Sequence, residues 1–184
     1  MKFILGEGLY QMIKQKKTKP KVEDFAKDLL DNDKLKNVVI FNEFLNDVDL
    51  TAEKTSKYFW SVMHEGIRIS TIAIHKNYWW IRFFGRYHGS DEVLNHCEKH
   101  LTDELKNLIL NNIITNLPCK NCKSFASKLI FGKMFDKVCW CTPFRFINPD
   151  GESLLYAKEL VLINKNSATE LKQVEYKHYF HSHY

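Results

Sequence analysis

The sequence predicts an α+β fold, with an antiparallel sheet and helices packed on one of its faces. Three runs between residues 57 and 84 alternate in side-chain character and are separated by short turns, which is typical of a strand meander. On both sides of these runs, apolar residues recur at the three- and four-residue spacing of amphipathic helices. A chain of 184 residues is long enough for one compact domain with a large core.

Two helices are predicted before the meander. Apolar residues follow the helical period over Val22–Leu30 and again over Lys34–Leu45, and Asn32 with Asp33 separates the two stretches. The segment Thr51–Thr55 that follows is polar, and we expect it to be exposed.

The predicted meander consists of three strands, Lys57–His64, Ile67–Ile74 and Tyr78–Phe84. Glu65-Gly66 and His75–Asn77 are short polar connections of the kind that join antiparallel neighbours.

A long helix is predicted after the meander. It would begin at Asp91, whose carboxylate can accept first-turn amide protons, and would run to about Asn112. Thr102–Leu105 is an alternative break that would divide it into two helices.

The C-terminal part is predicted to contain a hairpin, a strand and two helices. The hairpin strands are Lys128–Phe131 and Met134–Val138, and the single strand is Phe144–Ile147. Asn148 is the predicted N-cap of a helix that ends near Asn164, with Pro149 in its first position. Ser167 and Glu170 fit a capping box for a last helix. Residues 1–21 are therefore expected to form a helical extension and basic linker. Residues 22–166 would form a single α+β domain with the cysteine cluster at 119–141, and residues 167–184 a helix with an aromatic, histidine-rich tail.

Four of the five cysteines form two close pairs near the hairpin. Cys119 and Cys122 have C-x2-C spacing, and Cys139 and Cys141 have C-x-C spacing. The hairpin would bring the second pair back to the first, so the pattern predicts a structural zinc site, a zinc knuckle with four protein ligands. The alternatives are four unlinked thiols, a redox dithiol or a disulfide. The odd fifth cysteine, Cys97, and an opening segment too short for a secretory signal favour a reducing cytoplasm, where metal binding is preferred over disulfides.

The residues around the second pair carry a resemblance to a family. The run F-G-K-M-F-D-K-V-C, followed by F-R-F-I-N-P-D-G-E-S-L, is similar to the C-terminal half of a family of small, functionally uncharacterised bacterial α+β domains with a cysteine knuckle. The likeness extends to Trp60–Gly66 and Trp79–Ile81 and covers about residues 36–165. A third cysteine that the family pattern places soon after C-x2-C is missing here, and Cys141 is the candidate to substitute for it. The resemblance implies no activity.

A basic stretch near the N-terminus bears on possible partners. It contains five lysines within eight residues: Lys14, Lys16, Lys17, Lys19 and Lys21. The simplest interpretation is a solvated linker. The alternative is an electrostatic contact with nucleic acid, although no aromatic or arginine residues are interleaved for base stacking or bidentate phosphate binding.

The aromatic residues of the meander suggest a ligand-binding surface. Neighbouring residues on a strand point to opposite faces, so Trp79 and Trp80 cannot both enter one core. The candidate ligand-binding residues are Trp60, Trp79, Trp80 and Arg82, and the alternative is that the aromatic side chains only fill the core.

No catalytic motif stands out. The histidines His96 and His100 have the i, i+4 spacing of zinc ligands on a helix, but no H-E-x-x-H motif is present, and we interpret them as surface or boundary residues. A histidine-rich tail contains His178, His181 and His183, which could bind a metal or belong to a mobile end. With seven glycines in the chain, a nucleotide-binding loop is not expected.

These observations favour a non-catalytic binding module, stabilised by structural zinc, for a small molecule or a protein. The alternative is a nucleic-acid-associated protein that uses the basic stretch and the zinc knuckle. A second alternative is a thiol redox protein or other enzyme that acts through Cys139 and Cys141. No apolar run approaches the ~20 residues that span a bilayer, so a membrane partner is not expected.

Overall fold

The computed structural model describes residues 21–83, 96–115, 125–139 and 144–181. For residues 125, 126, 139 and 171–181 only the backbone is described. Within these ranges the protein has an α+β fold with a five-stranded antiparallel sheet, a two-stranded sheet and four α-helices. The predicted fold class is confirmed.

Helices α1 (Val22–Lys27) and α2 (Asn32–Asp47) stand where the sequence predicts two helices. The carboxylate of Asp31 caps α2, because it accepts a hydrogen bond from the backbone N–H of Lys34 at 3.0 Å. The buried side chains of α2 recur every three or four residues and so lie on one face of the helix: Val38, Phe41 and Leu45.

The large sheet has the strand order β1-β2-β3-β4-β7. Its strands are β1 (Ala52–Ser56), β2 (Phe59–His64), β3 (Ile67–His75), β4 (Tyr78–Phe83) and β7 (Phe144–Ile147). All neighbouring strands are antiparallel, and β2, β3 and β4 form the predicted meander. The strand predicted over Phe144–Ile147 is confirmed, and it pairs with β4.

Strand β1 is an element that the sequence analysis missed. It occupies most of the polar segment Thr51–Thr55 and pairs with β2 at the edge of the sheet. Most of its side chains are exposed, as expected. An exposed edge strand needs no apolar alternation, so its composition does not distinguish it from a loop.

The segment around residue 100 contains the predicted alternative break. A 3₁₀ helix covers Glu98–His100, and a separate helix, α3, covers Asp103–Asn111. The Thr102 hydroxyl accepts a hydrogen bond from the backbone N–H of Leu105 at 3.2 Å and so caps α3. One uninterrupted helix to Asn112 is therefore wrong, and the proposed start at Asp91 lies outside the described residues.

The last helix, α4 (Gly151–His181), is a single element of 31 residues. A helix end near Asn164 and a new start at Ser167 are therefore wrong, and α4 runs through the expected boundary between residues 166 and 167. The side chains of Asn164 and Ser167 are both buried, with exposed fractions of 1 % and 0 %. The Asn164 amide donates a hydrogen bond to the carbonyl oxygen of Ile69 on β3 at 3.2 Å, so this polar residue joins the helix to the sheet.

The predicted cap of this helix is also wrong. Asn148 forms hydrogen bonds with Trp79 on β4 instead, and α4 begins only at Gly151. The hydroxyl of Ser153 accepts a hydrogen bond from the backbone N–H of Asp150 at 2.9 Å and donates one to the carbonyl oxygen of the same residue at 2.8 Å. These bonds satisfy polar groups at the first turn.

The predicted hairpin is confirmed as a separate two-stranded sheet. Its strands are β5 (Phe125–Ile130) and β6 (Lys133–Cys139), and they pair antiparallel. The turn places Phe131 and Gly132 at φ values of 47° and 72°, a left-handed conformation that glycine adopts readily.

The core lies between the helices and one face of the large sheet. The Phe25 ring of α1 is 5.2 Å from that of Trp60, and the Phe41 ring of α2 is 6.1 Å from that of Trp79. Buried residues of α3 and α4 join the same apolar cluster. Within the described part of the chain, no helix has both the length and the apolar composition needed to cross a membrane.

Candidate functional site

The face of the large sheet opposite this core carries an aromatic and basic group of side chains. On β4, Trp79 and Ile81 point into the core, so Trp80 and Arg82 point to the other face. Strand register places further residues beside them. We call the resulting group the Trp80 face, and its members are Phe59, His75, Tyr78, Trp80, Arg82 and Arg145.

Aromatic rings surround Trp80 on this face. The Phe59 ring meets the Trp80 ring edge-on with centroids 5.6 Å apart, and the His75 ring lies 6.3 Å from it. His75 stacks in turn on Tyr78, at 4.8 Å and an interplanar angle of 15°. Trp80 is 6 % exposed whereas Tyr78 is 42 % exposed, so Tyr78 forms the accessible end of the aromatic group.

Two arginines lie directly opposite each other beside Trp80. Arg82 on β4 and Arg145 on β7 are register partners, and their guanidinium carbons are 5.8 Å and 5.9 Å from the Trp80 ring. Arg82 also donates a hydrogen bond to the Thr71 hydroxyl at 3.3 Å. Like charges directly opposite on neighbouring strands are destabilising, and the cation–π contacts with the indole ring offset part of that cost. The pair therefore places two guanidinium groups side by side on this face of the sheet.

The electrostatics of the face also affect His75. Burial lowers the pKa of its imidazole, and the positive charge of Arg145 lowers it further. The neutral imidazole is therefore favoured at neutral pH.

The structure divides the four candidate ligand-binding residues into two groups. Trp60 and Trp79 are fully buried in the core, so they cannot contact a ligand at the surface. Trp80 and Arg82 lie together on the opposite face. The sequence analysis missed Arg145 and His75. Because Phe144 and Phe146 point into the core, alternation along β7 turns Arg145 to the other face of the sheet. Only the pairing of β7 with β4 shows which residues Arg145 meets there.

The predicted zinc ligands lie largely outside the described residues. Cys119, Cys122 and Cys141 are not described, and Cys139 is described only in its backbone, as the last residue of β6. The remaining cysteine, Cys97, is fully buried, and burial raises the pKa of its thiol to about 12. Its thiolate is therefore scarce at neutral pH.

Most of the basic stretch is also outside the described residues. Lys14, Lys16, Lys17 and Lys19 fall in the first twenty residues. Lys21 is described, and it is an exposed residue immediately before α1. Of the histidine-rich tail, His178 and His181 are described only as helical backbone of α4, and His183 lies outside the described residues.

A second cluster joins the segment before α3 to helix α4. We call it the Glu170 cluster, and it consists of His96, Lys99, His100 and Glu170. The Glu170 carboxylate is 2.6 Å from His96 Nε2, 2.9 Å from Lys99 Nζ and 3.3 Å from His100 Nε2. The hydrogen bonds from Lys99 and His96 lower the pKa of Glu170 to about 2. The sequence marks the two histidines by their spacing, but it assigns Glu170 to a helix cap.

Comparison with known proteins adds no relative. No family model matches the chain, and neither a curated protein nor a solved structure matches it.

Proposed function

We propose that this protein is a non-catalytic binding module whose Trp80 face holds a small anionic molecule with a flat ring. The observation that carries the proposal is the cross-strand pair of Arg82 and Arg145, both of which lie within 6 Å of the Trp80 ring. An anion placed between the two guanidinium groups is attracted to both positive charges.

The chemistry of arginine supports an oxyanion as the charged part of the ligand. A guanidinium group presents its donors in a planar fork that matches a carboxylate, sulfonate or phosphate. Arginine also stays protonated at any relevant pH, so it binds and orients an anion but does not exchange protons with it. These properties suit binding more than turnover.

The aromatic end of the face supports a flat ring as the rest of the ligand. Tyr78 is accessible and already stacks on His75, so a planar group can extend that stack. The favoured neutral state of His75 avoids adding a third charge beside Arg145 and leaves the imidazole able to donate and accept hydrogen bonds.

A fluorescent probe with these two features tests the proposal. Anilinonaphthalene sulfonate carries flat rings and one sulfonate, and N-phenylnaphthylamine is its uncharged counterpart. We expect the full-length protein to bind the sulfonate and to bind the uncharged probe much more weakly. Arg145→Gln should weaken sulfonate binding by about tenfold or more, because a hydrogen bond to a charged group contributes about 1.5–3 kcal/mol.

The matched control is Lys76→Gln. Lys76 is exposed in the turn between β3 and β4, next to the aromatic end of the Trp80 face, so the substitution removes one positive charge without changing the arginine pair. Equal sulfonate affinity in wild type, Arg145→Gln and Lys76→Gln would contradict the proposal, as would equal affinity for the two probes.

We further propose that Cys119, Cys122, Cys139 and Cys141 hold a structural zinc ion. The register of the hairpin supports this, because the backbone of Cys139 lies opposite Phe125, three residues after Cys122. Zinc bound by four thiolates would stabilise this part of the fold and leave no coordination position for a substrate. Elemental analysis and thiol counting on the native protein test this proposal. Absence of zinc with four reactive thiols, or a reversible Cys139–Cys141 disulfide, would contradict it, and the disulfide would favour a thiol redox protein.

Single-stranded nucleic acid is the second candidate ligand. Stacked aromatic rings beside arginines are also a means of holding bases and phosphates, and the basic stretch would add to the phosphate contacts. Affinity for an oligonucleotide that falls steeply with salt, and falls again when residues 14–21 are deleted, would favour this candidate over a small anion.

A further inference from the structure

We propose that His96, His100 and Glu170 form a binding site for a divalent transition-metal ion of the zinc type. The site lies at the surface, between the segment that precedes α3 and the middle of α4. It is independent of both the Trp80 face and the cysteine pairs, since it shares no residue with either.

The distances within the cluster suit one small ion. One donor atom from each of the three residues lies within 4.8 Å of the other two. Tetrahedral zinc with Zn–N and Zn–O distances of about 2.0–2.2 Å holds its ligand atoms roughly 3.3–3.6 Å apart. The 3.3 Å between His100 Nε2 and Glu170 Oε1 falls in that range. The 2.6 Å between His96 Nε2 and Glu170 Oε2 is a hydrogen-bond distance, and it would have to lengthen for an ion to enter. Small side-chain rotations are enough to admit an ion.

The donor types point to the class of metal. Two imidazole nitrogens and one carboxylate oxygen form a ligand set that zinc, nickel and copper accept well, and that calcium and magnesium accept poorly. Three protein ligands leave a fourth position for water or an exogenous ligand. The Glu170 carboxylate already lies against an imidazole nitrogen of each histidine, so donor atoms of all three residues face one another.

Lys99 is the cation that a metal ion would replace. Its ammonium lies 2.9 Å from the same carboxylate oxygen that His96 contacts, and the Lys99 side chain is 54 % exposed. It can therefore move into solvent when an ion binds. Because the ammonium competes for the carboxylate, its removal should tighten metal binding. An increase in metal affinity on removal of the Lys99 ammonium therefore distinguishes a metal site from a purely structural cluster of ion pairs.

The test uses the metal-free full-length protein and Zn²⁺ as the probe. On titration, the imidazole nitrogen resonances of His96 and His100 should shift, while those of His64 should not. His64 is a suitable reference because its Nε2 lies 2.9 Å from the Thr169 hydroxyl, next to Glu170 on the same helix.

Variants provide the second measurement, by competition titration with a chelator. Glu170→Gln keeps the shape of the side chain, and it should weaken the site at least about tenfold, because even indirect partners of a metal contribute that much. His100→Gln should have a similar effect, and Lys99→Met should increase the affinity. His64→Gln is the control and should leave it unchanged.

The number of zinc ions bound per chain distinguishes this site from the proposed cysteine site. Loss of one ion in the double variant His96→Gln/His100→Gln, with the thiols still unreactive, supports two separate sites. Unchanged stoichiometry and affinity in that variant, or unshifted His96 and His100 resonances in the folded wild type, would overturn the proposal. Weaker binding in Lys99→Met would also overturn it.

Discussion

Asn148 extends the sheet by two hydrogen bonds to Trp79. Its backbone N–H donates to the Trp79 carbonyl oxygen at 2.8 Å, and its side-chain Oδ1 accepts from the Trp79 backbone N–H at 2.9 Å. Asn148 has φ of +45°, in the left-handed region, which asparagine tolerates better than most residues. One residue thus ends β7 and satisfies the backbone of the buried Trp79 at the same time.

We predict the order of stability wild type ≈ Asn148→Asp > Asn148→Gly > Asn148→Ala. Aspartate keeps the acceptor oxygen. Glycine relieves the left-handed backbone but loses the hydrogen bond, at a cost of about 1 kcal/mol. Alanine loses the bond and keeps the strain, which adds about 1 kcal/mol. The free energy of unfolding from chemical denaturation measures the series, and an alanine variant as stable as the glycine variant would contradict the role of backbone conformation.

A second prediction concerns Asn164, which is 1 % exposed and donates to the Ile69 carbonyl oxygen. Asn164→Ala should destabilise by about 1–3 kcal/mol, because the carbonyl oxygen loses its partner. Asn164→Asp should destabilise the protein more than Asn164→Ala at neutral pH, because a buried carboxylate cannot donate to a carbonyl oxygen and its charge is costly to bury. Its deficit should shrink in acid, where the carboxyl is protonated.

The control for this pair is Asn107→Asp. Asn107 is an exposed residue of α3, and the same change of charge there should alter the free energy of unfolding by less than about 0.5 kcal/mol. If Asn164→Asp lowered the free energy of unfolding as little as this control, the hydrogen bond between α4 and β3 would contribute little to stability.

These two asparagines also show where local sequence patterns stop being informative. Asparagine is common at both ends of helices, so the pattern assigns Asn148 to a start and Asn164 to an end. Each side chain bonds instead to a strand that is distant in sequence, Asn148 to β4 and Asn164 to β3. The meander was predictable because the alternation of its strands and the short turns between them are contained in one local stretch.

The candidate sites divide in the same way. Trp80 and Arg82 were identified from one strand, where alternation separates them from Trp79. Arg145 joins them only because β7 returns to pair with β4. Glu170 meets His96 and His100 only because α4 continues past Asn164, whereas a helix that ended there would remove that contact. Long-range pairing therefore decides both sites, and single-sequence patterns do not contain it.

A third prediction concerns the pH dependence of stability. Because the pKa of His75 is lower in the folded protein than its usual 6.5, the unfolded chain binds the proton more tightly. The contribution of the neutral His75 ring to the free energy of unfolding is therefore fully present above about pH 6.5. It decreases as the pH falls through that value. His75→Gln should make the free energy of unfolding less dependent on pH in this window. An identical slope in wild type and variant would contradict the lowered pKa.

The last prediction separates the two causes of that shift. Burial is the larger cause, and the charge of Arg145 is the smaller one. Arg145→Gln should therefore raise the pKa of His75 without restoring its usual value, because the ring stays half-buried between Phe59 and Tyr78. NMR titration of the His75 ring protons measures this pKa directly, and Lys76→Gln controls for the loss of one positive charge nearby. A full return to the usual pKa in Arg145→Gln would mean that charge, not burial, keeps His75 neutral. No change would mean that the arginine pair does not act on the aromatic end of the Trp80 face, and the anion and the ring of a ligand would then be bound independently.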